Sequence, residues 1–236
     1  MFERTTYKKQ AQEQLMGRYT TPVLITLFVL AITIIITCVA NRFAPKNQEV
    51  EFSLAKLIVP IVVVAVSSIL VYGTTYFYLK LANAGPLTTS NDASDADSTY
   101  ELNFGVFTEG VGYTWLDAIL GTLWQSLWVF LWACLFIVPG IVKSIAYSQM
   151  KYIIAENNEI GVRNAMNISK VITQGHKGDL FVMYFSFIGW LLLGVLSLGI
   201  GLLWILPYIN ASFANTYIAL KNDAIKDGKL TLADFS

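Results

Sequence analysis

Apolar stretches about one bilayer thick recur along this chain, separated by polar connections. Residues 23–40 carry no charge and end before Asn41-Arg42. At about 1.5 Å per residue, a helix there just crosses a hydrocarbon core of roughly 30 Å. Pro22 stands at its start, where a missing N–H costs least. Residues 57–79 predict a second crossing, with Pro60 in its first turn and Tyr72, Tyr76 and Tyr78 toward its end, as suits the interfacial belt. Residues 115–138 predict a third, with Trp115, Trp124, Trp128 and Trp132 at helical spacings. Packing or lipid contact explains these tryptophans better than ligand stacking. Pro139-Gly140 then breaks the helix, and residues 141–155 predict a shorter fourth segment, interrupted by Lys143 and Lys151. Residues 180–220 carry no formal charge and are about twice one span, so they must fold back. The reversal falls at Ser197-Leu198-Gly199-Ile200-Gly201, because glycine permits a sharp turn. It divides the stretch into spans at 180–196 and 202–220, with Pro207 kinking the second.

The polar segments have patterns of their own. In residues 1–20, Tyr7, Ala11, Leu15 and Tyr19 recur four apart and predict an amphipathic helix lying on the inner membrane surface. Residues 80–114 form the longest polar stretch, and residues 88–99 within it read as a flexible acidic loop. A calcium loop starting at Asp95 fails, because Tyr100 stands where glycine is needed and Val106 where glutamate is needed. Between residues 156 and 179, Val162, Ala165, Ile168 and Ile172 predict a short amphipathic helix.

Composition sharpens this into a fold class. The chain has 236 residues, 55% hydrophobic and only 14% charged, against about 25% charged in soluble domains. That points to an all-α polytopic membrane bundle of about six spans, forming a single membrane domain over residues 1–236. Zero net charge gives no basic footprint for nucleic acid. Arg4, Lys8, Lys9 and Arg18, with Arg163, Lys170, Lys177 and the tail lysines, fall on one side of a six-span arrangement. The positive-inside rule then places both termini in the cytoplasm and the protein in the cell membrane. A five-span alternative would export Lys143, Lys151, Arg163, Lys170 and Lys177 together. The polar residues ahead of the first apolar run are too many for a secretory n-region, so that run reads as a retained anchor.

The chemistry on offer is sparse. His176 is the only histidine, in Gln174-Gly175-His176-Lys177-Gly178-Asp179, and any Ser/His/Asp or Cys/His set would have to use it. The two cysteines, Cys38 and Cys134, lie inside apolar runs, so neither nucleophile nor metal cluster assembles readily. No catalytic set, metal site or cofactor is expected. Broken helices at Pro139-Gly140 and Pro207 expose backbone groups that membranes tolerate only against protein or water. Gln125, Lys143, Lys151, Asn210 and Asn215 are the polar groups available to line such a place, although kinks that only serve packing explain the same residues more simply.

From Pro139 onward the chain resembles a known bacterial family. Pro139-Gly140-Ile141-Val142-Lys143, Tyr147-Ser148, Tyr152 to Asn157, Ala165, Ser169, Gly175-His176-Lys177, Phe181, Ser186 to Trp190, Leu198 to Gly201 and Pro207-Tyr208 follow the order and spacing of the domain-of-unknown-function 975 membrane proteins. Lys8 to Tyr19 resembles the family's opening helix, whereas residues 90–98 depart from it as an acidic insert. The family is distantly similar to the membrane domain of some glycerophosphodiester phosphodiesterases, whose catalytic domain is absent from this sequence. The resemblance implies a bacterial membrane protein without an assigned biochemical role. The expected function is a non-enzymatic accessory or scaffold. The alternatives are a small transporter and a lipid-modifying enzyme using His176. Its partners are the lipid bilayer and either another membrane protein or a second copy. The structural or pathway candidates are Pro139, Gly140, Lys143, Tyr147, Gly175, His176, Lys177, Gly199, Gly201, Pro207 and Asn210.

Overall fold

The structure, a computed structural model, describes residues 3–43, 54–84, 103–135 and 137–235. The expected acidic loop at 88–99 lies outside the described residues. All regular structure among the described residues is helical. The elements are α1 (Arg4–Leu15), α2 (Thr20–Phe43), α3 (Leu54–Ala84), α4 (Phe104–Leu135), α5 (Ile137–Tyr147), α6 (Met150–Glu156), α7 (Val162–Ile172), α8 (Lys177–Leu196) and α9 (Leu202–Lys226), with 3₁₀ turns at Asn158–Ile160 and Leu232–Phe235. Within the polar stretch from residue 80 to 114, α3 runs on to Ala84 and α4 begins at Phe104. Leu81 and Phe107 are buried at these extended ends, so packing carries the helices past the hydropathy boundary.

Among the described residues, four helices are long and apolar enough to cross a membrane: Thr20–Arg42, Val59–Ala84, Phe104–Cys134 and Lys177–Leu196. The fourth and sixth expected segments are different. A turn at Ser148 and Gln149 divides residues 141–155 between α5 and α6, and each piece alone is short. In α9, Asn210, Ser212, Asn215 and Thr216 dilute the apolar run. The break expected at Pro139-Gly140 does not fall there, since both residues lie inside α5 (Ile137–Tyr147). Pro139 therefore occupies the first turn of α5, where its missing N–H leaves no bond unmade.

Burial is uneven along the bundle. α3 and α4 pair closely, and Tyr76 Oη donates to Glu109 Oε1 at 2.9 Å between them. The C-terminal half of α3, α6, one face of α7 and the run from Ala211 to Tyr217 in α9 are buried together. The stripe on α1 faces protein: Tyr7, Ala11 and Leu15 are buried, and α1 packs along α9. Gln14 and Asn215 exchange two amide hydrogen bonds there, of 3.0 and 2.7 Å. Elsewhere large apolar side chains point outward. Ile34 and Ile35 on α2, Ile61 and Val62 on α3, Leu127 and Phe130 on α4, and Phe185 and Leu192 on α8 are all exposed. Soluble monomers rarely expose contiguous apolar patches beyond a few hundred Å², and here such side chains cover much of α2, α4 and α8 and the first half of α3.

The reversal between α8 and α9 occupies residues 197–201, as the glycines predict. Gly199 adopts φ 86° and its N–H bonds to Gly194 O at 3.1 Å. That is the six-to-one closure of a Schellman cap. Ser197 Oγ donates to Gly194 O at 2.7 Å and accepts from Gly201 N at 2.8 Å, which satisfies backbone groups freed by the turn.

Candidate functional site

A cleft of about 660 Å³ opens between α4 and α5 on one side and α8 on the other. Its walls follow from local packing. At Gly140 the α5 backbone comes so near α4 that a β-carbon would lie 2.9 Å from Ala133 Cα. Only hydrogen fits there, which holds α5 hard against α4. On the other side of α5, Ser169 Oγ of α7 donates to Ala146 O at 2.7 Å. α5 is thus held by α4 and α7, and it also packs with α8, where Ile145, Leu180 and Leu220 form a small buried cluster beside the cleft.

The lining is graded from apolar to polar. Residues equally far from the α4–α5 junction meet across it, as Ala133 and Gly140 do. Ala133, Gly140, Ile141 and Val129 therefore line the end nearest that junction. Gln125, Ser148, Lys151 and Tyr184 line the other end, with Ser144 and Ile145 between and Phe181 on the facing wall. Lys151 is half-buried, and its Nζ lies 5.0 Å from the centroid of the Tyr152 ring. Among the described residues no carboxylate forms an ion pair with it. Ser148 Oγ donates to Ile145 O at 2.8 Å and accepts from Gln149 Nε2 at 3.0 Å.

The residues singled out in the sequence distribute unevenly around this cleft. Gly140, Gln125 and Lys151 line it together. Lys143 lies elsewhere, with its ammonium 4.6 Å from the centroid of Trp132. Tyr147 is buried beside α7, and Lys170 Nζ stands 5.6 Å from its ring centroid. Gly175 takes φ 95° in the turn before α8. His176 precedes that helix, with Nδ1 3.6 Å from Asp179 Oδ2, and Lys177 opens it. Gly199 and Gly201 shape the α8–α9 turn. Pro207 is buried inside α9, one turn before half-buried Asn210. Asn215 is committed to Gln14. The two cysteines lie on α2 and α4 and the histidine just before α8, and among the described residues no group of three metal-ligating side chains gathers.

Ser144, Ser148, Phe181 and Tyr184 were not foreseen as lining residues. A signal for the first two was available: Gly140, Ser144, Ser148 and Lys151 are spaced 4, 4 and 3 apart, which puts small and polar groups along one helical face. Phe181 and Tyr184 carry no such mark, because only tertiary packing brings α8 opposite α5.

No curated protein and no solved structure matches the chain. Residues 117–224 match the family described as "Protein of unknown function (DUF975)". That segment runs from within α4 into the end of α9 and contains every residue lining the cleft. Residues 117–224, somewhat under half of the chain, are thus similar to the DUF975 family of proteins of unknown function.

Proposed function

We propose that this chain is an integral protein of the bacterial cytoplasmic membrane, acting without catalysis as an accessory that holds an amphiphilic molecule drawn from the bilayer. The observation that carries this reading is the cleft, which opens between helices whose outer faces are apolar and encloses hydroxyls, an amide and an ammonium. Lateral access from lipid suits a molecule with an apolar chain and a polar end.

In this reading α5 with α6, and α9, complete six crossings, both termini lie in the cytoplasm, and α1 seats at the inner surface against α9. The charge pattern supports the orientation, since Arg163, Lys170 and Lys177 fall on one connection near the chain's basic ends. Photocapture tests the function. A benzophenone amino acid replacing Ile141, in the cleft, should crosslink to lipid in native membranes. One replacing Asn164, exposed on α7, should not. Capture at neither position, or only at Asn164, removes the amphiphile-holding function.

A further inference from the structure

Nothing in the cleft's apolar end distinguishes one lipid from another, whereas its polar end is selective in sign. Lys151 contributes a positive charge, and Ser144, Tyr184 and Gln125 contribute groups able to donate hydrogen bonds. An ammonium among apolar walls is unfavourable without an opposite charge, and among the described residues no acidic side chain supplies one. The acidic residue nearest in sequence, Glu156, is already engaged by Lys221 and by Tyr217 Oη at 2.6 Å. The volume of about 660 Å³ lies within the range of small-molecule sites. It suits a headgroup and part of one chain, with the rest of the molecule left in the bilayer.

We infer that the cleft between α4–α5 and α8 binds an anionic phospholipid, its phosphate against Lys151 and an acyl chain along Val129, Ala133 and Ile141. This rests on the cleft receiving an amphiphile at all, and adds the sign and chemistry of its headgroup. Lys151 is the specificity-determining residue. The hydroxyl of Tyr184 is the second point of attachment for the phosphate oxygens.

The test uses the full-length protein in phosphatidylcholine nanodiscs containing a trace of photoactivatable lipid, either phosphatidylglycerol or phosphatidylcholine. Wild type should capture phosphatidylglycerol at the cleft at least about tenfold more than phosphatidylcholine, the size of one hydrogen bond to a charged group. Lys151→Met should abolish that preference and still capture both lipids equally, and Lys151→Arg should restore it. Lys143→Met removes a lysine outside the cleft and should leave the preference intact. Equal capture of the two lipids by wild type would overturn the anionic assignment and leave the amphiphile reading standing. Capture of neither would remove both. Equal loss from Lys143→Met and Lys151→Met would reduce the preference to general surface charge and overturn the site. Displacement by millimolar inorganic phosphate would assign the cleft to a free anion instead.

Discussion

Gly140 shows how much one missing methyl group decides. Its Cα approaches Ala133 so closely that a β-carbon would meet backbone, which cannot rotate away as a side chain can. Gly140→Ala should therefore push α5 off α4 and destabilise the protein by about 1–3 kcal/mol, the usual range for overpacking. Thermal unfolding in mild detergent checks this, and an unchanged midpoint would show that the two helices separate freely. Gly189 is the matched control. It also lies inside a helix, yet a β-carbon there meets nothing within 4 Å. Gly189→Ala should leave stability unchanged or raise it by roughly 0.5–1 kcal/mol through reduced backbone freedom. The sequence marks Gly140 through the dipeptide Pro139-Gly140, but as a breakpoint. Its close contact depends on α5 lying back against α4, and the approach distance cannot be read from spacing.

At the scale of elements, α1 is attached to α9 by an amide pair as well as by its apolar stripe. Gln14 and Asn215 are both buried and satisfy each other, and Gln14 Nε2 also reaches Ala82 O at 3.2 Å. Gln14→Leu should leave the Asn215 amide without this partner and cost about 1–3 kcal/mol. Gln14→Leu with Asn215→Leu should recover much of that loss, because two apolar groups need no partner. A double-mutant cycle on thermal stability gives the coupling; simple additivity would mean the pair contributes nothing. The tail after α9 makes a second attachment, with Lys221 Nζ 4.3 Å from the ring centroid of Phe235. Asp234 Oδ2 accepts from Thr231 N at 2.7 Å and from its hydroxyl at 2.8 Å, and these bonds hold the Asp234 carboxyl below its usual range. The folded pKa is depressed, so the contribution is complete above the unfolded value of about 3.9. It is lost as pH falls through the folded value. The Thr231 amide proton should shift with a midpoint below that of free aspartate, and Asp234→Asn should abolish the titration. Periodicity revealed the α1 stripe, the face of α7 and the α8–α9 turn because each is a local pattern. It did not reveal that α1 faces α9, because an apolar stripe reads the same against lipid or protein, and Gln14 and Asn215 are 201 residues apart. Nor did it place the start of α4, where Phe104 and Phe107 sit among polar neighbours and take their order from packing with Phe28.

For the whole molecule, the decisive feature is a packed end joined to an end whose apolar surface faces outward. Composition announces the surplus of apolar residues, but not that it is concentrated on α2, the first half of α3, most of α4 and α8. If water covered these faces, each half-exposed leucine or isoleucine would forfeit about 1 kcal/mol of burial. The dozens of such side chains would then outweigh the 5–15 kcal/mol by which domains are ordinarily stable. Lipid removes that difficulty, and it also makes exposure in the structure a poor guide to reactivity in the cell. Leu127 on α4 is 57% exposed, yet it should be sealed by hydrocarbon. Asn164 on α7 is exposed as well and should be in water on the cytoplasmic side. In a variant with Cys38 and Cys134 replaced by serine, a cysteine placed at Leu127 should resist a membrane-impermeant maleimide in vesicles of either orientation and react only after denaturation in sodium dodecyl sulfate. A cysteine at Asn164 should react at once in inside-out vesicles and stay unreacted in right-side-out ones. Reaction of the Leu127 site in intact vesicles would mean that water wets the middle of α4, and the membrane assignment would fall with it. Reaction of the Asn164 site from outside would leave the membrane assignment in place and invert the orientation.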